Sequence, residues 1–186
     1  PIESGVQLFD WIENSQRYLF NSAHSLQYSI LSYATAYIKQ HFPLQFFTSW
    51  LYFSKNKQDP LKEMENLIED AKLFNIKVNL PTLTLLKKNF SIKNNEIYFG
   101  LSNIKGVGDS HIEKLIGLLG NIKWEDWYQF LIKYGTKLTN NIISRLIKAG
   151  AMPFNKPRME MLEEYNVMDS LTDKEKEYLL RCPGTN

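Results

Sequence analysis

Ile97-Tyr98-Phe99-Gly100-Leu101-Ser102-Asn103-Ile104-Lys105-Gly106-Val107-Gly108-Asp109-Ser110-His111-Ile112 is the stretch on which the reading of this chain turns. It predicts a short strand, a helix ending in a Gly-Val-Gly turn, and a second helix beginning at Asp109 or Ser110. Two glycines around one apolar residue let the backbone turn tightly, take positive φ and approach another surface closely. Val107 is then able to tuck between the helices while the N–H groups of the turn stay open. Open N–H groups at a helix N-terminus attract phosphate, because the unpaired donors and the local dipole act together. This is the pattern of a helix-hairpin-helix, which grips nucleic-acid backbone without reading bases. An ordinary glycine-capped helical hairpin carries the same local signature.

Working outward, the overall charge of +2 conceals an asymmetry. Residues 1–83 carry 7 Lys+Arg and 8 Asp+Glu, residues 84–158 carry 12 and 5, and residues 159–186 carry 3 and 7. The positive block surrounds the glycine turn, where a phosphate-binding role requires it. Lys87, Lys88, Lys93, Lys105, Lys114 and Lys123 lie near the turn in sequence, and Lys133, Lys137, Arg145 and Lys148 follow. A solvated charged face is the plain alternative.

Of the 186 residues, 44% are apolar and 13% aromatic, a globular composition. A single cysteine, Cys182, excludes an internal disulfide and fits a reducing compartment. There is neither a transmembrane-length apolar run nor a signal-peptide pattern. The chain opens at Pro1 without an initiator Met and stops after Cys182-Pro183-Gly184-Thr185-Asn186, so both ends read as cut from something longer.

Periodicity predicts helices over about 4–17, 22–41, 44–54, 60–74, 109–119, 124–133, 139–149, 157–168 and 173–181. Residues 76–80 read as extended. The runs 90–93 and 96–99 flank Asn94-Asn95, a two-residue hairpin turn. The segment 81–88 is the best boundary. On the long helix, His24, Tyr28, Ser32, Thr35 and Lys39 fall in a stripe roughly 80° wide. Leu26, Ile30, Tyr33, Ala34 and Tyr37 form the opposite side, expected to be apolar and packed. The polar stripe suits a phosphorylated ligand, with the Tyr28 ring stacking on a base. A plain amphipathic helix facing water gives the same stripe.

Residues 18–43, Tyr18-Leu19-Phe20-Asn21-Ser22-Ala23-His24 continuing to His41-Phe42-Pro43, resemble the fingers segment of the C-family bacterial replicative DNA polymerases, the DNA polymerase III alpha subunits. That family's pattern is Phe-Asn-Lys-Ser-His, then Tyr, then Ser-Tyr-Gln-Thr-Ala-Tyr-Leu-Lys, ending His-Tyr-Pro. Phe99-Gly100-Leu101 through Ile104-Lys105-Gly106-Val107-Gly108 is similar to its Phe-Gly-Leu-x-x-Ile-Lys-Gly-Val-Gly. Leu146-Ile147-Lys148-Ala149-Gly150-Ala151-Met152 resembles its Leu-Ile-x-Ala-Gly-Ala-Phe. The three matches keep the family's order and spacing over about 5–165.

The resemblance implies a mainly α chain: a multi-helical fingers segment, then a tandem helix-hairpin-helix domain with a small β-hairpin. Residues 1–83 would be the C-terminal part of the fingers, 84–156 the DNA-binding hairpins, and 157–186 a solvated acidic helical tail. His24, Tyr28, Asn21 and Lys39 would face the incoming deoxynucleotide. Gly106, Val107 and Gly108 would hold duplex backbone through their N–H groups, helped by Lys105, Lys93 and Lys114. Residues 139–152 would form a second, degenerate hairpin with a structural role. The implied partners are primer-template duplex, dNTP and the remaining polymerase domains, with a sliding clamp as a further candidate. No membrane is implied, and the setting is bacterial cytoplasm or a phage-infected cell.

Ser22, Ala23 and Ala34 stand where the family has Lys, Ser and Gln, which removes one cation near the triphosphate and suggests a divergent or phage-borne member. Nucleotidyl transfer needs carboxylates holding two metal ions about 4 Å apart. The family keeps these in an upstream palm, so Mg2+ is expected in a parent polymerase and no metal or catalytic residue in this piece. The piece alone should be inactive. Gln7-Leu8-Phe9-Asp10-Trp11 superficially resembles a clamp-binding peptide, with core packing as the alternative, and Trp124–Tyr128 reads as core. Two other readings stay open: a stand-alone DNA-binding module, and a replicase-interacting protein without catalysis.

Overall fold

The structure is a computed structural model that describes residues 2–19, 22–120, 126–135, 137, 138, 140–172, 174–176 and 178. It is mainly helical, with a small three-stranded sheet. The chain forms two compact units, residues 1–46 and 47–186. The division therefore falls well before the composition shift after residue 83, because Leu83 belongs to the larger unit. Its side chain is 1% exposed in the core, and its N–H bonds to the Ala151 carbonyl at 2.9 Å.

The first unit contains α1 (Ile2–Leu19), α2 (Ser22–His41) and the start of α3 (Pro43–Phe53). Pro43 ends the long helix as its sequence predicts, and sits where its missing N–H costs nothing. None of the α2 side chains is buried. This corrects the expectation of a packed apolar flank: Leu26 is 62% exposed, Ile30 60% and Tyr33 72%. An amphipathic helix buries its apolar stripe only when a second apolar surface meets it. Among the described residues none does, and Phe9 and Trp11 of α1 are themselves 69% exposed. Among the described residues, then, the 7–11 segment is exposed and not packed in a core.

In the larger unit, α3 meets α4 (Pro60–Leu73) through buried Phe47, Leu51, Leu67 and Ala71, and the Trp50 indole donates to Glu63 Oε1 at 2.8 Å. Asp59 caps α4 by accepting the Lys62 N–H at 3.2 Å, with Pro60 at the first helical position. Asn75, at φ 57°, ends it: Ile76 N–H returns to the Ala71 carbonyl and Asn75 N–H to that of Lys72. The chain then enters β1 (Val78–Asn79). Strands β2 (Ser91–Lys93) and β3 (Glu96–Tyr98) form the expected hairpin, Asn94 and Asn95 both taking positive φ as a type I′ turn requires. β1 adds in parallel to β3, in the order β1-β3-β2, with Val78 opposite Ile97.

One core joins the rest. Ile112, Leu115 and Leu119 come from α5 (Asp109–Leu119); Trp127, Phe130, Leu131 and Tyr134 from α6 (Trp127–Tyr134); Ile142, Ile143, Leu146 and Ile147 from α7 (Asn140–Lys148). Burial of each such large side chain contributes about 1.5–3 kcal/mol. The final helix, α8 (Arg158–Ser170), corrects the reading of 157–186 as a solvated tail. Its Met161, Tyr165 and Met168 are 2–6% exposed in the same core. Glu164 accepts from the Trp127 indole at 2.7 Å, the Tyr128 hydroxyl at 2.8 Å and the Lys156 ammonium at 2.6 Å. An acidic composition hid an apolar stripe with a three-residue-to-four-residue spacing. Of the 124–128 cluster expected in the core, Trp127 is buried but Tyr128 is 54% exposed, and Trp124 and most of 173–181 lie outside the described residues.

Candidate nucleic-acid interface

The chain reaches the glycine turn through Gly100, whose backbone lies against that of Lys88 and Asn89; a Cβ there would fall 2.2 Å from the Lys88 carbonyl oxygen. Leu101 and Ser102 donate their N–H groups to the Lys87 and Lys88 carbonyls at 2.9 and 3.0 Å. The helix expected before the turn is a single 3-10 turn, Leu101–Asn103. β3 ends at Tyr98 and the turn begins near Lys105, so there is room for no more. Leu101 and Ile104 still point into the core, 1% and 8% exposed.

Gly106 takes φ +83°, a conformation that glycine alone adopts without strain. Val107 is 4% exposed and tucks inward as its sequence position predicts. Gly108 is extended and nothing nearer than 3.9 Å opposes a Cβ there, so nothing inside the fold demands glycine at 108. The expected set of open N–H groups is altered. Val107 N–H closes the turn on the Ile104 carbonyl at 3.0 Å, and Gly108 N–H reaches His111 Nδ1 at 3.3 Å. His111 and Ile112 N–H both bond to the Gly108 carbonyl. Within the 104–110 stretch the N–H groups for which the described residues provide no acceptor are those of Lys105, Gly106, Asp109 and Ser110, the last two in the first turn of α5. Gly108 N–H joins them once its long bond to His111 yields.

Asp109 would oppose an anion here, but Lys88 Nζ pairs with its Oδ2 at 2.7 Å. The same hydrogen bond holds the Lys88 ammonium above its ordinary pKa. Lys88 therefore cancels a carboxylate instead of adding a net charge. Lys105 stands on the turn itself. Lys114 lies on the exposed face of α5, and Lys93 sits in the sheet opposite Glu96.

Arg145 shows in the sequence only as one cation of the basic block. Its Nη1 donates to the Lys105 carbonyl at 2.6 Å and its Nε to Asn141 Oδ1 at 2.7 Å. The guanidinium covers Gly106 so closely that a Cβ would lie 1.4 Å from Nη1. Glycine is required at 106 by its φ, and any larger residue would also push the Arg145 tip aside. No local signal reveals this contact, since 40 residues separate its ends. α7 itself closes with Gly150 at φ +73°, and Arg158 covers that glycine in the same way.

A family model described as a helix-hairpin-helix motif matches residues 75–161, the span from β1 into α8. A DNA polymerase III subunit alpha of Aquifex aeolicus is 35% identical over 165 residues, which is 87% of this chain and 14% of that protein. The chain is homologous to the DNA polymerase III alpha subunits. The protein of that name from Deinococcus radiodurans is 29% identical over 178 residues, 93% of this chain and 13% of its own length. That from Thermus aquaticus is 38% identical over 109 residues, 59% of this chain and 9% of its own length. The chain thus spans only a small part of these alpha subunits.

Of the four fingers residues expected from the alpha-subunit resemblance, Asn21 lies outside the described residues. His24 and Tyr28, one turn apart on α2, meet edge to face with ring centroids 4.5 Å apart, and both are exposed. Lys39 Nζ lies 5.9 Å from the centroid of the Phe46 ring. The Thr35 hydroxyl of the same stripe donates back to the Leu31 carbonyl at 2.8 Å. Among the described residues no group of three His, Cys, Asp or Glu side chains is placed to hold a metal ion, and no helix is long and apolar enough to cross a membrane.

Proposed function

We propose that this chain is the part of a replicative DNA polymerase that holds duplex DNA behind the active site, and that its first residues contact the incoming nucleotide. The observation that carries the reading is the turn at Gly106–Gly108: an inward Val107, an extended Gly108 with open space beside it, and unpaired N–H groups at the start of α5. Backbone donors at a helix start bind phosphate without regard to base. Lys105 supplements them, and the Lys88–Asp109 pair removes the local repulsion.

His24, Tyr28 and Lys39, which share a face of α2, are assigned with Asn21 to the deoxynucleoside triphosphate on the strength of the fingers resemblance. The palm aspartates and their Mg2+ belong to a longer polymerase, as do contacts to its other domains and to a sliding clamp, in the bacterial cytoplasm or an infected cell. The test of the hairpin is a fluorescence-anisotropy titration of this chain with labelled primer-template duplex across a salt series. Salt-sensitive, sequence-blind binding supports it; absence of binding at low salt removes it. For the fingers, an unchanged dNTP KM and rate in a His24→Ala variant of the complete polymerase would undo the assignment.

A further inference from the structure

Beside the turn, on the side of α7, lies a cleft of about 400 Å³ lined by Pro81, Asn103, Ile104, Lys105, Arg145, Lys148 and Ala149. It is separate from the N–H groups at the start of α5. Its cations come from both hairpins: Lys105 from the first, Arg145 and Lys148 from one face of α7, three residues apart. No carboxylate lines it. Among the described residues none of these three cations has an acidic partner within ion-pair distance, in contrast to Lys72, Lys77, Lys88 and Lys156, which each have one.

Gathering three like charges in a concavity is unfavourable unless an anion enters. A purely structural bridge between the hairpins needs only the single bond from Arg145 to the Lys105 carbonyl. Arg145 is instead fixed at two points, by that carbonyl and by Asn141, which orients its remaining donors and lowers the ordering cost of binding. Guanidinium groups held in this way suit the paired oxygens of a phosphodiester.

We propose that this cleft is a second backbone-phosphate site, in which Lys105, Arg145 and Lys148 hold a phosphate neighbouring the one bound at the turn. The site rests on the duplex-binding reading and extends it, giving the second hairpin a direct part in DNA contact in place of a purely structural one. Arg145 has two duties in it: it positions the turn through the Lys105 carbonyl and presents charge to the nucleic acid.

The test compares this chain with its Lys148→Gln, Arg145→Gln and Gly108→Val variants, binding a labelled duplex of about 20 base pairs over about 50 to 200 mM salt. The Lys148 side chain is exposed, so its removal leaves the melting temperature unchanged. Lys148→Gln is expected to weaken binding about five-fold and to reduce the slope of log affinity against log salt by about 0.9. Arg145→Gln is expected to weaken it further. Wild-type affinity and slope in both variants, with binding lost in Gly108→Val, would remove the cleft and leave the turn standing. Failure of the unaltered chain to bind any duplex would remove both.

Discussion

Residues 1–46 and residues 47–186 are both helical, yet among the described residues the buried core lies in the second unit. α2 is 20 residues long without a buried side chain, while the shorter α5, α6 and α7 each bury several. Helix formation and helix burial are separate matters: periodicity writes the helix, and a second apolar surface is needed to bury its stripe. The hairpin region supplies that surface from within, through Leu83, Leu101, Val107 and the facing helices. It thereby anchors the turn at Gly106–Gly108 to the core through Ile104 and Val107. His24, Tyr28 and Lys39, three of the candidate nucleotide contacts, sit on α2, where no side chain is buried.

The comparison is broken or sharpened by substitution in each region. Phe130→Ala in the core removes a side chain that is 0% exposed and touches Trp127, Tyr134 and Phe154. A loss of about 3–5 kcal/mol is expected in denaturant unfolding of the larger unit, and duplex binding goes with it. Gly106→Ala comes next. It strains a positive-φ position and displaces Arg145, for an expected loss of about 1–3 kcal/mol and a drop in duplex affinity larger than the lost stability explains.

The Glu164 cluster gives a pH signature confined to the larger unit. Partial burial works to raise the Glu164 carboxyl, but hydrogen bonds from Lys156, Tyr128 and Trp127 outweigh it and hold the group below its usual range. A depressed carboxyl stabilises the fold above its unfolded pKa, about 4.3, and that contribution disappears as pH falls through the lower folded value. Lys156 mirrors it: hydrogen bonds to Glu164 and Tyr128 push its ammonium up to about 12. Its contribution is whole below the ordinary lysine range and is lost as pH rises through the folded value. Melting curves of Glu164→Gln against the unaltered chain should show a lower Tm near neutrality and a shallower decline in acid. Parallel curves would mean that the cluster does not fasten α8 to α6.

The smallest effect is expected in α2. Leu26→Ala or Ile30→Ala, at positions 62% and 60% exposed, should change the stability of this chain by less than about 0.5 kcal/mol. A larger loss would show that the apolar flank of α2 is covered in solution. His111→Ala belongs at the same end of the scale. It leaves Gly108 N–H without its long bond to the imidazole, and duplex affinity should hold or rise slightly in the same anisotropy titration.

Local patterns were enough for much of this molecule. The Asn94-Asn95 turn, the Pro43 helix boundary and the inward Val107 depend on φ preferences and on neighbours a few residues away, and all three follow from the sequence. So do the mainly helical class and the likeness to the polymerase III alpha subunits. Composition misled at 157–186, where seven acidic residues drew attention from Met161, Tyr165 and Met168 on one helical face. Of the three donors expected at the turn, Gly106 N–H is open, whereas Val107 N–H closes on the Ile104 carbonyl and Gly108 N–H on His111 Nδ1, contacts that the sequence does not show.

The sequence by itself determined where the chain turns, which segments are helical and which of their faces are apolar, because these follow from short-range sterics and residue spacing. Only the tertiary structure decided that Arg145 covers Gly106 across 40 residues, that Glu164 fastens α8 to α6 across 37, and that among the described residues no α2 side chain is buried. Each of these depends on which surfaces meet, and the meeting of distant surfaces is set by how the whole core packs, not by any one stretch of chain.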